Sequence, residues 1–246
     1  MKAYDSLAPY YDEFMDFMAY DDEAKALHYL IEDLQAERIL DLGAGSGGHL
    51  LPLLRNGHKV DALDISGPML EVLAGKLRYQ GLKARLYQGD MCTYAKAGSY
   101  DFIYALGDTV HHLDGLEAFQ DFLKQSYLNL ASGGHLVFTH RSPDYFEYLA
   151  DIGNFYEVHG ADYLLWAVSL TDSAEAVMDY TAFIKAQDQR FDKIEETHKL
   201  AIYTEDDINR AIIASGLQVC PELSAKYLAS EDDAEEYKCI TVLQRP

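Results

Sequence analysis

Residues 38 to 48 read Arg38-Ile39-Leu40-Asp41-Leu42-Gly43-Ala44-Gly45-Ser46-Gly47-Gly48, an apolar run followed by a turn rich in glycine. A short apolar run bounded by glycine reads as a buried strand. Glycines 43, 45 and 48 satisfy G-x-G-x-x-G, and Leu50, Leu51, Leu53 and Leu54 continue as a helix. Strand, glycine turn and helix in that order suit a nucleotide. The turn has no β-carbons to hold a ligand away from its backbone, and the helix amino terminus leaves N–H groups free.

Upstream, Ala24, Leu27, Leu30, Ile31 and Leu34 recur at helical spacing between Asp21 and Ala36. Downstream, His58 to Ile65 reads as a second strand containing Asp64, and Ser66 caps a helix with Pro68 in its first turn. On that helix Met69, Val72, Leu73 and Leu77 face the sheet. A third strand, Ala84 to Gln88, closes on Gly89-Asp90, and a fourth runs from Tyr100 to Ala105. A helix from Leu116 to Leu130 precedes Gly133-Gly134 and a fifth strand, His135 to Thr139. This alternation predicts an α/β, Rossmann-like, doubly wound and mostly parallel sheet.

The pattern changes after His140. Three β-rich runs, around 162–170, 176–185 and 190–202, follow without an intervening helical period and predict antiparallel strands. Thr204-Glu205-Asp206-Asp207 reads as a capping box for a helix stopped by Gly216, and two closing strands lie near 217–220 and 237–243. The expected division is therefore a nucleotide-binding domain of residues 1–141 and 204–246, with a β-rich insert, 142–203, covering one side of it.

With 41 acidic against 20 basic residues the net charge is -21, which repels phosphate backbones and anionic lipid and disfavours nucleic acid and membrane as partners. The acids cluster at Asp21-Asp22-Glu23, at Glu205 to Asp207 and from Glu231 to Glu236, as solvated helix faces and turns do. Cys92, Cys220 and Cys239 are odd in number and lack metal-ligand spacing, so no disulfide framework, zinc or other metal is expected. Reduced cysteines suit a cytoplasmic location. Nothing in the chain approaches a membrane-spanning run.

Asp64 ends its strand where an acid accepts hydrogen bonds from both hydroxyls of a ribose, which any adenosine compound offers. Asp90 suits an adenine amino group and the Met91 N–H a ring nitrogen. Asp41 either reaches a ligand through water or braces the glycine turn. Here the sequence resembles the class I S-adenosylmethionine-dependent methyltransferases, through Asp41-Leu42-Gly43-Ala44-Gly45-Ser46-Gly47, Asp64-Ile65-Ser66, Gly89-Asp90-Met91 and Tyr100-Asp101-Phe102-Ile103. The resemblance covers about the first 140 residues and the closing helix and strands. It implies that Gly43 to Gly47 wrap the methionine portion of S-adenosylmethionine, that Asp64 holds the ribose and that Asp90 and Met91 hold the adenine. Asp41, Ala44, Ile65, Met69 and Leu106 join the expected cofactor contacts.

The opening Tyr4-Asp5-Ser6-Leu7-Ala8-Pro9-Tyr10-Tyr11-Asp12 is similar to amino-terminal segments that fold over the cofactor in small-molecule members, with Tyr11 the expected contact. Such tyrosines also simply pack a helix on a sheet. After the fourth strand, one imidazole of His111-His112 can take a proton from a methyl acceptor, although adjacent histidines at a helix entrance more often pack. His140 and Arg141 would line the acceptor pocket. The expected reaction is methyl transfer to a small-molecule acceptor. A nicotinamide-dependent oxidoreductase shares the glycines and Asp64 but has no need of Asp90, and a non-catalytic cofactor-binding module would lack an acceptor cavity. Pairing through exposed strand edges would give a homodimer.

Overall fold

The computed structural model describes residues 2–16, 18, 20–227 and 237–246. After a 3-10 turn, Ala8–Tyr10, and a short helix α1 (Tyr11–Phe14), α2 (Tyr20–Asp33) leads into β1 (Ile39–Leu42). Then come α3 (Leu50–Arg55), β2 (Val60–Asp64), α4 (Gly67–Gln80), β3 (Leu86–Gln88), β4 (Tyr100–Ala105), α5 (Gly115–Asn129) and β5 (Leu130–Arg141). The large sheet has the order β10-β11-β5-β4-β1-β2-β3, where β10 is Gln218–Val219 and β11 is Lys238–Gln244. Its pairs from β5 to β3 are parallel, and β11 and β10 join antiparallel. The doubly wound, mostly parallel sheet is as expected. The acidic run from Glu231 to Glu236 lies outside the described residues.

Alternate residues of the central strands feed two cores, because successive strand side chains leave on opposite faces. Leu40, Leu42, Ile103 and Leu136 meet Phe119 and Phe122 of α5 and Ile208 and Ile212 of α7 (Glu205–Ser215). Ile39, Ala62, Tyr104 and Val137 meet Leu27 and Leu30 of α2, Leu50 and Leu53 of α3, and Leu73 and Leu77 of α4. Cutting a buried phenylalanine such as Phe119 to alanine typically costs about 3–5 kcal/mol.

Both expected caps are present. Ser66 Oγ accepts from the Met69 N–H, and Thr204 and Asp207 form the capping box. Gly133-Gly134 are not the linker before the fifth strand. They belong to β5, where the Gly133 N–H bonds the Arg245 carbonyl at 2.7 Å.

The insert is a second sheet, β6-β7-β8-β9, entirely antiparallel: Asn154–His159, Asp162–Leu170, Glu175–Lys185 and Phe191–Ala201. It is not β-structure alone, since α6 (Pro143–Ile152) precedes it and buries Phe146 and Leu149. The start and stop of that helix were present in sequence as Ser142-Pro143 and Gly153. One face of the second sheet packs on α6, and the same face receives Leu7 and Phe14 from the amino-terminal segment. The last helix, α8, is Pro221–Tyr227.

Candidate functional site

At the carboxyl ends of β1, β2 and β4, where the chain winds away in opposite directions, a cleft encloses about 810 Å³, partly open to solvent. Of the residues expected from sequence, Tyr11, Gly43, Gly45, Asp64, Ile65, Met69, Asp90, Met91 and His112 line it. Residues as far apart in the chain as Tyr11 and His112 thus reach one cavity.

Each conspicuous glycine has its own reason. Gly43 has φ +77°, and a β-carbon there would fall 2.2 Å from Thr109 Cγ2. Gly45, at φ +53°, faces open space, which leaves its backbone accessible from the cleft. Gly48 lies under the Tyr20 ring. Asp64 Oδ2 accepts from the Gly45 N–H at 2.7 Å and Oδ1 from the Ser66 N–H at 2.8 Å. Burial pushes its pKa up while these N–H bonds oppose the rise. A carboxylate oxygen accepts more than one hydrogen bond, so both Asp64 oxygens retain capacity for ligand hydroxyls. Asp90 Oδ1 closes a turn with the Cys92 N–H at 2.8 Å. Cys92 itself is packing: burial lifts its thiol to about 12, so it is no thiolate.

Three expected cofactor contacts do not line the cleft. Asp41 is buried and accepts from the Tyr104 hydroxyl of β4 at 2.9 Å. Ala44 is buried, with its N–H on the Leu63 carbonyl. Leu106 is buried in the core, and its carbonyl accepts from Thr109 Oγ1 at 2.7 Å. His111 lines the second cavity described below, but both its ring nitrogens are engaged. Its Nδ1 bonds the Ala201 carbonyl at 2.6 Å and its Nε2 accepts the Arg141 N–H at 2.8 Å, leaving neither nitrogen free. Burial lowers its pKa, in keeping with a neutral structural ring.

A second cavity of about 950 Å³ adjoins the first, between the large sheet, α6 and the inner face of the second sheet. Phe14, Met18, Tyr145, Phe146, Trp166, Met178 and Tyr180 make its wall largely aromatic and thioether. Arg141 lines it, paired with Asp108 at 2.8 Å and lying over the Tyr145 ring. His140 does not line it. Tyr4, Tyr11, Gly107 and His112 border both cavities and form the junction between them. Burial, with His198 and His111 nearby, drives His112 down to about 3, so its imidazole is neutral at physiological pH.

The amino-terminal segment lies across this junction and is tied on both sides. Asp5 and Asp12 accept from Ser66 Oγ and Ser46 Oγ of the large domain at 2.7 and 2.6 Å, and Lys76 pairs with Asp12 at 2.5 Å. From the second sheet, Glu196 accepts the backbone N–H groups of Tyr4, Ser6 and Leu7 at 2.8, 2.5 and 3.0 Å, and a bond from His198 at 2.8 Å. Burial raises the Glu196 pKa, but His198 and the Ser6 and Leu7 N–H groups outweigh it and hold the carboxylate below its usual range. Sequence reasoning missed Glu196. Its signal was two polar residues, 196 and 198, at inward positions of a strand that otherwise buries Leu200.

Residues 39–134 match the family model of a methyltransferase domain. A protein of Geobacillus sp. (strain WCH70) assigned provisionally as a methyltransferase is 24% identical over 91% of this chain and 92% of its own. Among solved structures, an S-adenosylmethionine-dependent methyltransferase from Clostridium acetobutylicum shares the fold at a TM-score of 0.80 and 20% identity, covering 99% of both chains. The sugar N-methyltransferase KedS8 of Streptoalloteichus sp. does so at 0.78 and 16% identity, covering 96% of this chain and 92% of that one. The glycine turn, the parallel sheet and the matched domain define the class I methyltransferase architecture. Residues 39–134 are a methyltransferase domain, and the chain as a whole shares the fold of S-adenosylmethionine-dependent methyltransferases.

Proposed function

We propose that this enzyme methylates a small molecule held in the aromatic cavity, with the methyl passing across the junction of Tyr4, Tyr11, Gly107 and His112. The observation that carries this reading is the meeting of two separate cavities at those four residues. The cleft suits the cofactor. Gly43 and Gly45 admit its amino-acid portion, Asp64 retains acceptor capacity for two ribose hydroxyls, and Ile65, Met69, Asp90 and Met91 flank the adenine. S-adenosylmethionine supplies an activated methyl to direct displacement, which asks the protein mainly for alignment and exclusion of water. The clipped amino-terminal segment excludes water, and Tyr4 against Tyr11, with ring centroids 5.1 Å apart, narrows the junction. His112 serves as a neutral hydrogen-bond acceptor there. A small acceptor is also what the name of KedS8, a sugar N-methyltransferase, describes for a protein of this fold.

The test is to incubate the enzyme with methyl-labelled S-adenosylmethionine and a metabolite extract, and to identify the labelled product. Label in a low-molecular-weight product is expected. Label confined to protein or nucleic acid would overturn the acceptor class, and tighter binding of NAD than of S-adenosylhomocysteine would overturn the cofactor.

A further inference from the structure

A second group of chemically capable side chains lies at the other end of the parallel strands. His28 and Glu32 stand one turn apart on α2, and His58 sits two residues before β2. None of the three lines either cavity. A spacing of four on a helix puts two side chains on one face, and the chain returns through α3 to bring the third against them. His28 Nδ1 lies 2.8 Å from His58 Nε2, Glu32 Oε1 lies 3.9 Å from the same nitrogen, and all three ligand atoms fall within 4.8 Å of one another. We propose that His28, Glu32 and His58 form a binding site for a divalent transition metal of the zinc type.

Two imidazoles and a carboxylate are the donor set that suits zinc, with water completing a tetrahedron. Bonds of about 2.0–2.1 Å at tetrahedral angles put neighbouring ligand atoms about 3.3 Å apart. The imidazole pair must therefore open by about 0.5 Å and the carboxylate approach by about 0.6 Å. Glu32 is free to make that move because its side chain is 65% exposed, whereas His58, at 8%, is fixed by packing. Without metal one ring donates a hydrogen to the other. Metal takes the place of that hydrogen, which moves to the outer nitrogen of its own ring, so two neutral imidazoles each present a lone pair and release no proton.

The site would also support the cofactor turn. The first turn of α2 carries Tyr20, whose ring covers Gly48, and Glu23, which bonds His49. Pinning the middle of α2 to the approach of β2 holds the helix on which both stand.

The test is calorimetric titration of tag-free, chelator-stripped protein with zinc chloride, comparing the native chain with His58→Gln and His28→Gln. One equivalent is expected for the native chain, with zinc affinity reduced about 10-fold or more in each variant. Circular dichroism and S-adenosylhomocysteine affinity, both measured before zinc is added, are expected to match the zinc-free native chain and confirm that the variants are folded. No zinc uptake by the native chain, or equal uptake by folded variants, would overturn the site.

Discussion

The backbone N–H of Tyr4 donates to the buried carboxylate of Glu196 across 2.8 Å, joining positions 192 apart in the chain. Tyr4 lines the cofactor cleft and Glu196 belongs to β9, so the second sheet holds a wall of a cleft that the large sheet otherwise builds.

Glu196→Gln replaces a carboxylate that accepts three backbone N–H groups by an amide with one acceptor oxygen. Hydrogen bonds to a charged group contribute about 1.5–3 kcal/mol each. Losing one should weaken S-adenosylhomocysteine binding roughly 10-fold or more and speed amide exchange at residues 4 to 7. Calorimetry and hydrogen exchange read these two effects. Unchanged affinity in a folded variant would show that the clip has no part in holding the cofactor.

The same link bears on replacing residues 142–203 by a short linker. Because Glu196 leaves with the segment, cofactor affinity should fall along with methyl transfer. Affinity at the native level in the shortened protein would restrict the segment to the acceptor side.

Asp64→Ala should cost roughly 2–3 kcal/mol of S-adenosylhomocysteine binding, the value of a charge-assisted pair of bonds. The variant also frees the Gly45 and Ser66 N–H groups that Asp64 now holds. A native affinity in a folded Asp64→Ala protein would contradict the ribose role.

Asp41 carries a pH prediction. Burial lifts its pKa from 3.8 to about 7, against the opposing effects of His49 and the Tyr104 hydroxyl. A folded-state pKa above the unfolded one gives stability that is complete below about pH 4 and is lost as pH rises through about 7. Asp41→Asn keeps an acceptor for Tyr104 and removes the charge. Its melting temperature should exceed that of the native chain at pH 8 and approach it at pH 5. Parallel melting curves across that range would refute the buried-charge account.

Gly43→Ala places a β-carbon 2.2 Å from Thr109 Cγ2 in a backbone at φ +77°. Left-handed strain of about 1–2 kcal/mol and overpacking of about 1–3 kcal/mol should add. Adding Thr109→Ala should return only the overpacking share, as denaturant melts would show. Full recovery would mean the backbone angle costs nothing.

The sequence by itself determined the large sheet and brought out most of the residues that line the first cleft. Both rest on short-range rules: strand period, glycine turns, helix caps, and the placement of acids at the ends of β2 and β3. Asp64 and Asp90 were legible because each is fixed within a few residues of its own turn. Only the tertiary structure decided the fates of Asp41 and His111, whose partners, Tyr104 and the Ala201 carbonyl, lie 63 and 90 positions away. Tertiary structure likewise decided the clip at Glu196 and the meeting of His28 with His58. In each case a polar side chain takes its role from the group that chain folding brings within hydrogen-bond reach, and local pattern carries no record of that group.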